Sequence, residues 1–174
     1  MKKVIVNLVV VLILLTAQSF AQNVKEYKAG NVFYVSLPEY MSKTTGLNSV
    51  ATIQYKSVVK DVYGFVIEDT KEDLKLVEMS FTSVTEFYDE FMKTFIKDED
   101  KRVVSGFTLL KKGETNFVEA DLTYYDKDAK AEIYYLIGIV ETKTAYYKVL
   151  SWALAENKDK FKADFQKILY SLKD

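Results

Sequence analysis

Glu119 and Asp121 stand two residues apart in the stretch NFVEADLTYY. On a β-strand that spacing puts both carboxylates on one face, about 7 Å apart. Two acids at such a distance can serve a glycosidase pair, or share a cation. The same pattern also makes an ordinary solvated strand face, since charged residues on outward faces are the rule. We take the solvated face as the expectation. The stretch DKDAKAE brings together Asp126, Asp128 and Glu132. It lacks the third Asp or Asn, the following Gly and the correctly placed Glu of a calcium loop, so it reads as a hairpin turn. Glu68, Asp69, Glu72 and Asp73 crowd the stretch IEDTKED at a strand-to-helix junction. There the helix dipole alone accounts for acids.

Other chemistry is closed off by composition. The 174 residues include no histidine and no cysteine. That removes Ser-His-Asp and Cys-His nucleophilic sites, ordinary zinc sites and any base with an unshifted pKa near neutrality. No Gly-x-Ser-x-Gly, phosphate-loop or dinucleotide glycine pattern occurs. Arg102 is the one arginine, and no basic stripe accompanies it, so nucleic acid is not an expected partner. The expectation is a protein with no catalytic residues, no metal and no cofactor.

Binding remains. The segment from Tyr40 to Asn48 carries Tyr40, Met41 and Leu47 without a clear period. These three either fold back to plug one end of the core or rim a pocket or partner surface, as loops on a rigid scaffold often do. They are the candidate binding residues.

The first residues have the form of an export signal. Lys2 and Lys3 precede an apolar run from Val4 to Leu15, and Ser19 and Ala21 supply a small-x-small cleavage site. The run is short of the roughly 20 residues that span a bilayer. We expect residues 1–21 to be a signal peptide cleaved after Ala21. Residues 22–174 then form one domain, periplasmic or secreted, with no membrane span after cleavage. No cysteine is present to carry a lipid anchor. Removing Lys2 and Lys3 leaves 22 basic against 25 acidic residues, a net charge of −3. The remaining length suffices to bury a core without disulfides.

Periodicity supplies the elements. Phe33, Val35 and Leu37 alternate in NVFYVSLP, a strand ended by Pro38. VATIQYKS and VYGFVIED read as two more. From Ser83 the apolar residues Val84, Phe87, Tyr88, Phe91, Met92, Phe95 and Ile96 recur at helical spacing. Ser83 and Glu86 make a capping box, and Phe91 is expected to anchor this helix to the sheet. Four strands follow at VVSGFTLLK, NFVEADLTYY, AEIYYLIGIVE and AYYKVLSWAL, joined by short links as an antiparallel meander. AEIYYLIGIVE is apolar on both faces, so Tyr134 and Tyr135 point to opposite sides of a strand covered on both. A last helix lines up Phe161, Phe165, Ile168, Leu169 and Leu172.

The opening strand with Phe33, Val35, Leu37 and Pro38, the aromatic Tyr40 soon after, the aromatic helix, the meander and the ending Phe165-x-x-Ile168-Leu169-x-Ser171-Leu172 resemble the PsbP-like superfamily. That group includes the extrinsic photosystem II protein and a Ran-binding nuclear-transport factor. The resemblance spans roughly residues 31–173 and implies an α+β fold: a three-layer α/β/α sandwich whose mainly antiparallel central sheet is flanked by helices. It implies an accessory or binding role and supplies no catalytic residues. Where relatives often carry tryptophan after the proline, this chain has Tyr40. The Ala21-Gln22 junction and the Lys- and Tyr-rich, cysteine-free composition look like exported proteins of Bacteroidota.

The expected function is therefore an exported, non-catalytic accessory protein whose partner is another envelope protein. The alternative is a carrier of a lipid or other small hydrophobic ligand, and a carboxylate-based hydrolase stands third.

Overall fold

The computed structural model of the chain describes residues 23–30 and 32–174; the expected signal peptide lies outside the described residues. Along the chain come β1 (Val24–Ala29), β2 (Phe33–Pro38), β3 (Ser42–Thr44), β4 (Ile53–Ser57) and β5 (Val62–Thr70), then α1 (Lys71–Leu76) and α2 (Val84–Met92). The second half holds β6 (Asp100–Val104), β7 (Thr108–Lys112), β8 (Thr115–Asp126), β9 (Ala131–Glu141), β10 (Ala145–Leu154) and α3 (Lys158–Tyr170). β1 and β2 pair as a separate hairpin, and the other eight strands form one sheet in the order β3-β4-β5-β10-β9-β8-β6, with β7 also on β8. Every pairing is antiparallel. The fold is α+β, as expected.

β9 and β10 lie in the middle because both of their faces are apolar. Tyr134, Leu136, Val140, Tyr147 and Val149 belong to a core shared with α3 and the β1–β2 hairpin. Ile133, Ile137, Ile139, Tyr146 and Leu150 belong to a second core, under α2. Tyr134 and Tyr135 thus point apart, each into a packed layer. The stripe of α3 expected from the sequence, Phe161 through Leu172, is buried. Two contacts tie the hairpin to that helix: Ser36 N donates to Ser171 Oγ at 2.8 Å, and Tyr34 N to Lys173 O at 2.8 Å.

α2 starts as expected. Ser83 Oγ accepts from Glu86 N, and the Glu86 carboxylate reaches back to the amide and hydroxyl of Thr82 rather than to Ser83 itself. It ends earlier than the apolar spacing implies, at Met92. From Lys93 the hydrogen bonds tighten to the three-residue kind, Lys93 N to Glu90 O and Thr94 N to Phe91 O. Ile96, at φ +52°, turns the chain away from a further helical turn. Arg102 then caps the freed carbonyls, donating from Nε to Phe95 O and from Nη2 to Met92 O. Phe91 is therefore half-buried, while Phe87, one turn earlier, is the residue enclosed by the core.

Three further features depart from the sequence reading. VVSGFTLLK is not one strand but β6 and β7, broken at residues 105–107. Ser105 bridges the break: its amide donates to Asp121 O, and its hydroxyl accepts from Asp121 N at 2.9 Å. β1, which lacks alternation, owes its place to pairing with β2. The polar face of β8 does not meet water, because α3 lies across it; Glu119 is only 8% exposed.

Candidate binding groove

The carboxylates that opened the sequence reading are spoken for. α3 presents Lys158, Lys162, Gln166 and Tyr170 at four-residue intervals, a polar stripe beside its apolar one. Lys158 and Lys162 reach Asp121 Oδ2 at 2.9 and 2.7 Å, and Tyr134 donates to Asp121 Oδ1 at 2.8 Å. Gln166 and Tyr170 donate to the two oxygens of Glu119 at 2.8 and 2.7 Å. Both acids hold a helix on a sheet; neither opens on a cleft.

Burial pushes the Asp121 carboxyl up, but hydrogen bonds from Lys162, Lys158 and Tyr134 outweigh it and hold the group below its ordinary value. Glu141 behaves likewise, with Lys71 and Asn116 overcoming its burial. A carboxyl whose folded pKa is depressed contributes stability above its unfolded value, and loses it as pH falls through the folded one. Glu68, pushed up first by burial, titrates in the opposite sense. Stability should fall steeply below about pH 4, and Asp121→Asn should flatten that acid slope while lowering the melting temperature at neutral pH. Melting temperature followed by circular dichroism across pH tests this; an unchanged acid slope in the variant would count against the assignment.

The three candidate binding residues do not converge. Met41 is buried in the core beneath α3. Tyr40 is half-buried against the same core; its hydroxyl donates to Asp164 Oδ2 at 2.6 Å and Lys60 Nζ lies 3.5 Å from its ring centroid. Burial and the Asp164 carboxylate push its pKa well above the tyrosine range. Leu47 packs toward the other core, on a loop strapped by Gln54, whose Oε1 accepts from the amides of Leu47 and Asn48.

A groove does open on the α2 face of the sheet. It offers about 300 Å³ of open space between α2 and the segment joining the two helices. Phe87 and Phe91 form one wall, Leu74, Met79 and Phe81 the other, and Asp69 and Lys148 the floor. Lys148 Nζ lies 2.8 Å from Asp69 Oδ2, an ion pair whose angle makes no hydrogen bond. The two residues sit diagonally on neighbouring strands, since Tyr146 opposes Asp69 and Lys148 opposes Ile67. The rings of Phe87 and Phe91 lie 5.7 and 5.8 Å from the same ammonium. Phe81 pins the linker by meeting Phe87 and Tyr146 edge-on, and the Tyr146 hydroxyl lies 3.3 Å from its carbonyl. A smaller hollow of about 70 Å³ continues the groove past Leu74 and Met79 to Lys71. Between Leu74 and Met79 in the chain, Leu76 is 78% and Val77 64% exposed, and neither lines the groove. Its one ammonium is paired with Asp69, and Glu90 and Thr94 add polar groups beside the apolar walls.

No protein-family model matches the chain, and no curated protein matches its sequence. Solved structures do match in shape. The solution structure of cyanobacterial PsbP (CyanoP) from Synechocystis sp. PCC 6803 superposes with a TM-score of 0.63 at 12% identity, covering 90% of this chain and 95% of that one. The fold is PsbP-like. LpqN, involved in cell envelope biogenesis of Mycobacterium tuberculosis, superposes with a TM-score of 0.58 at 8% identity, over 89% of this chain and 86% of that one. At such identities the likeness is one of fold. Within this PsbP-like frame the groove is formed by the stretch LKLVEMSF and by two aromatics one helical turn apart. The sequence signal was an apolar run with no period between a strand and a helix. Phe87 and Phe91 by themselves read as a core stripe.

Proposed function

We propose that residues 22–174 form a single exported domain, layered as helix, sheet and helix, that acts as a non-catalytic accessory protein. It holds one or two large apolar side chains of another envelope protein in the groove beside α2. The observation that carries this reading is the apolar wall of Leu74, Met79 and Phe81, supplied by a linker that also leaves Leu76 and Val77 exposed to solvent. Large apolar side chains at the mouth of a concave site are the usual anchors of a protein interface. A lipid carrier needs an enclosed apolar cavity, whereas this groove is open and floored by an ion pair. The envelope role stated for LpqN supports the same reading, and no described helix is long and apolar enough to cross a membrane.

A photo-crosslinking amino acid at Met79, in the full chain expressed in its own cells, tests the proposal. We expect a discrete protein adduct from Met79 and none from Val59, an exposed residue at the β4–β5 turn, the far end of β5 from Asp69. Leu76→Glu with Val77→Glu should abolish the adduct without shifting the melting temperature, because both side chains are exposed. Equal labelling at both positions, or none at Met79, would refute the groove as a docking site.

A further inference from the structure

The sheet ends at β7, which pairs with β8 alone among the described residues. All five of its residues are exposed. An edge of this kind offers unpaired backbone donors and acceptors to any extended chain, and proteins normally blunt it. The opposite edge is blunted in that way: β3 is three residues long, and Lys43 is tied to Lys28 O. The β7 side is longer and apolar, with Val103 63% and Leu109 57% exposed, and Phe107 and Leu110 also open.

Its charges are ordered as well. Side chains alternate, so Leu109 and Lys111 share one face and Leu110 and Lys112 the other. Lys111 has no ion pair among the described residues, and Lys112 lies over the rings of Phe117 and Tyr170 without an acid partner. Two copies of β7 paired with each other would set every lysine against threonine, leucine or lysine, so all four would stay unneutralised. A strand carrying two acids followed by two apolar residues, run antiparallel to β7, meets Lys112, Lys111, Leu110 and Leu109 in turn. Opposite charges and apolar pairs across a ladder stabilise it, and like charges oppose it.

We infer that β7 is a strand-addition site for an extended acidic-apolar segment of a partner protein, with Lys111 and Lys112 selecting the acids. Backbone hydrogen bonds would supply the attachment and the alternating side chains the choice of sequence. The edge lies three strands from β10, the groove strand, in the order β10-β9-β8-β7. It is a second surface, and a failure here leaves the groove reading standing.

The test uses the full mature chain and a synthetic peptide, acetyl-Ser-Glu-Glu-Val-Val-Thr-Ser-amide, followed by amide NMR and hydrogen exchange. We expect shifts and slowed exchange at Thr108–Lys112. Lys111→Glu with Lys112→Glu should weaken the acidic peptide about tenfold, and the same variant should instead take the peptide with Lys-Lys in place of Glu-Glu. That exchanged preference shows the variant to be folded while its specificity is reversed. Unperturbed β7 amides, equal binding of both peptides, or protection that rises with protein concentration in the absence of peptide would each overturn the inference. The last of these would mean that the edge pairs with a second copy.

Discussion

Phe87→Ala should destabilise the protein by about 3–5 kcal/mol, the usual range for deleting an enclosed core aromatic. The ring stacks on Tyr146 with centroids 4.5 Å apart and planes 5° from parallel, and it receives the edge of Phe81 at 5.0 Å. Removing it leaves a hollow under α2 that neighbouring rings fill poorly, because Tyr146 is held by its hydroxyl to Glu141 and Phe81 belongs to a linker with few other anchors. Phe91→Ala should cost visibly less, since that ring is only half-buried whereas Phe87 is 5% exposed. Urea midpoints for the two variants decide the matter. A larger loss for Phe91 would restore the sequence reading, in which Phe91 was the anchor, and would mean that the helix runs on to Ile96.

That exchange of anchors shows what was legible in the chain. The sheet centre was readable because AEIYYLIGIVE is apolar at both parities, a pattern with few structural solutions. The N-terminus of α2 was readable because Ser83 and Glu86 act locally. Its end was not, because the last turn tightens from Lys93 onward and Arg102 arrives from β6 to satisfy the carbonyls of Met92 and Phe95. The covered face of β8 was hidden for a similar reason. Glu119 and Asp121 look solvated until Lys158, Lys162, Gln166 and Tyr170 are laid over them from a helix some forty residues away, about the separation of Lys162 and Asp121. The four-residue spacing of that stripe was there to be read beside the apolar one. The groove was the least legible part. Tyr40, Met41 and Leu47 are neighbours in sequence but divide between the two cores, whereas the groove gathers Asp69, Met79, Phe91 and Lys148 from four separate segments.

Gly64→Ala should cost about 2–5 kcal/mol, combining overpacking with the loss of a buried hydrogen bond. Gly64 lies between Tyr55 on β4 and Ser151 on β10. The fully buried Tyr55 ring crosses directly over it, so that its hydroxyl reaches Ser151 Oγ at 2.8 Å. A Cβ at position 64 would run into that ring and would also stand 2.7 Å from the Leu150 carbonyl oxygen. The ring can swing away; the carbonyl, part of the β5–β10 ladder, cannot move without spoiling the central pairing. If Tyr55 swings, its hydroxyl and that of Ser151, which is buried as well, lose each other inside the core. Gly106→Ala is the control, because a Cβ there meets nothing within 4 Å, and it should change stability by no more than about 0.5 kcal/mol. A double-mutant cycle with Tyr55→Phe separates the two costs. Tyr55→Phe should lose less stability in the Gly64→Ala background than in the wild type, since the hydrogen bond is already broken there. Equal losses in both backgrounds would mean that Tyr55 keeps its partner and the strain falls on the sheet backbone instead. A Gly64→Ala midpoint matching wild type would contradict the close crossing of Tyr55 over β5.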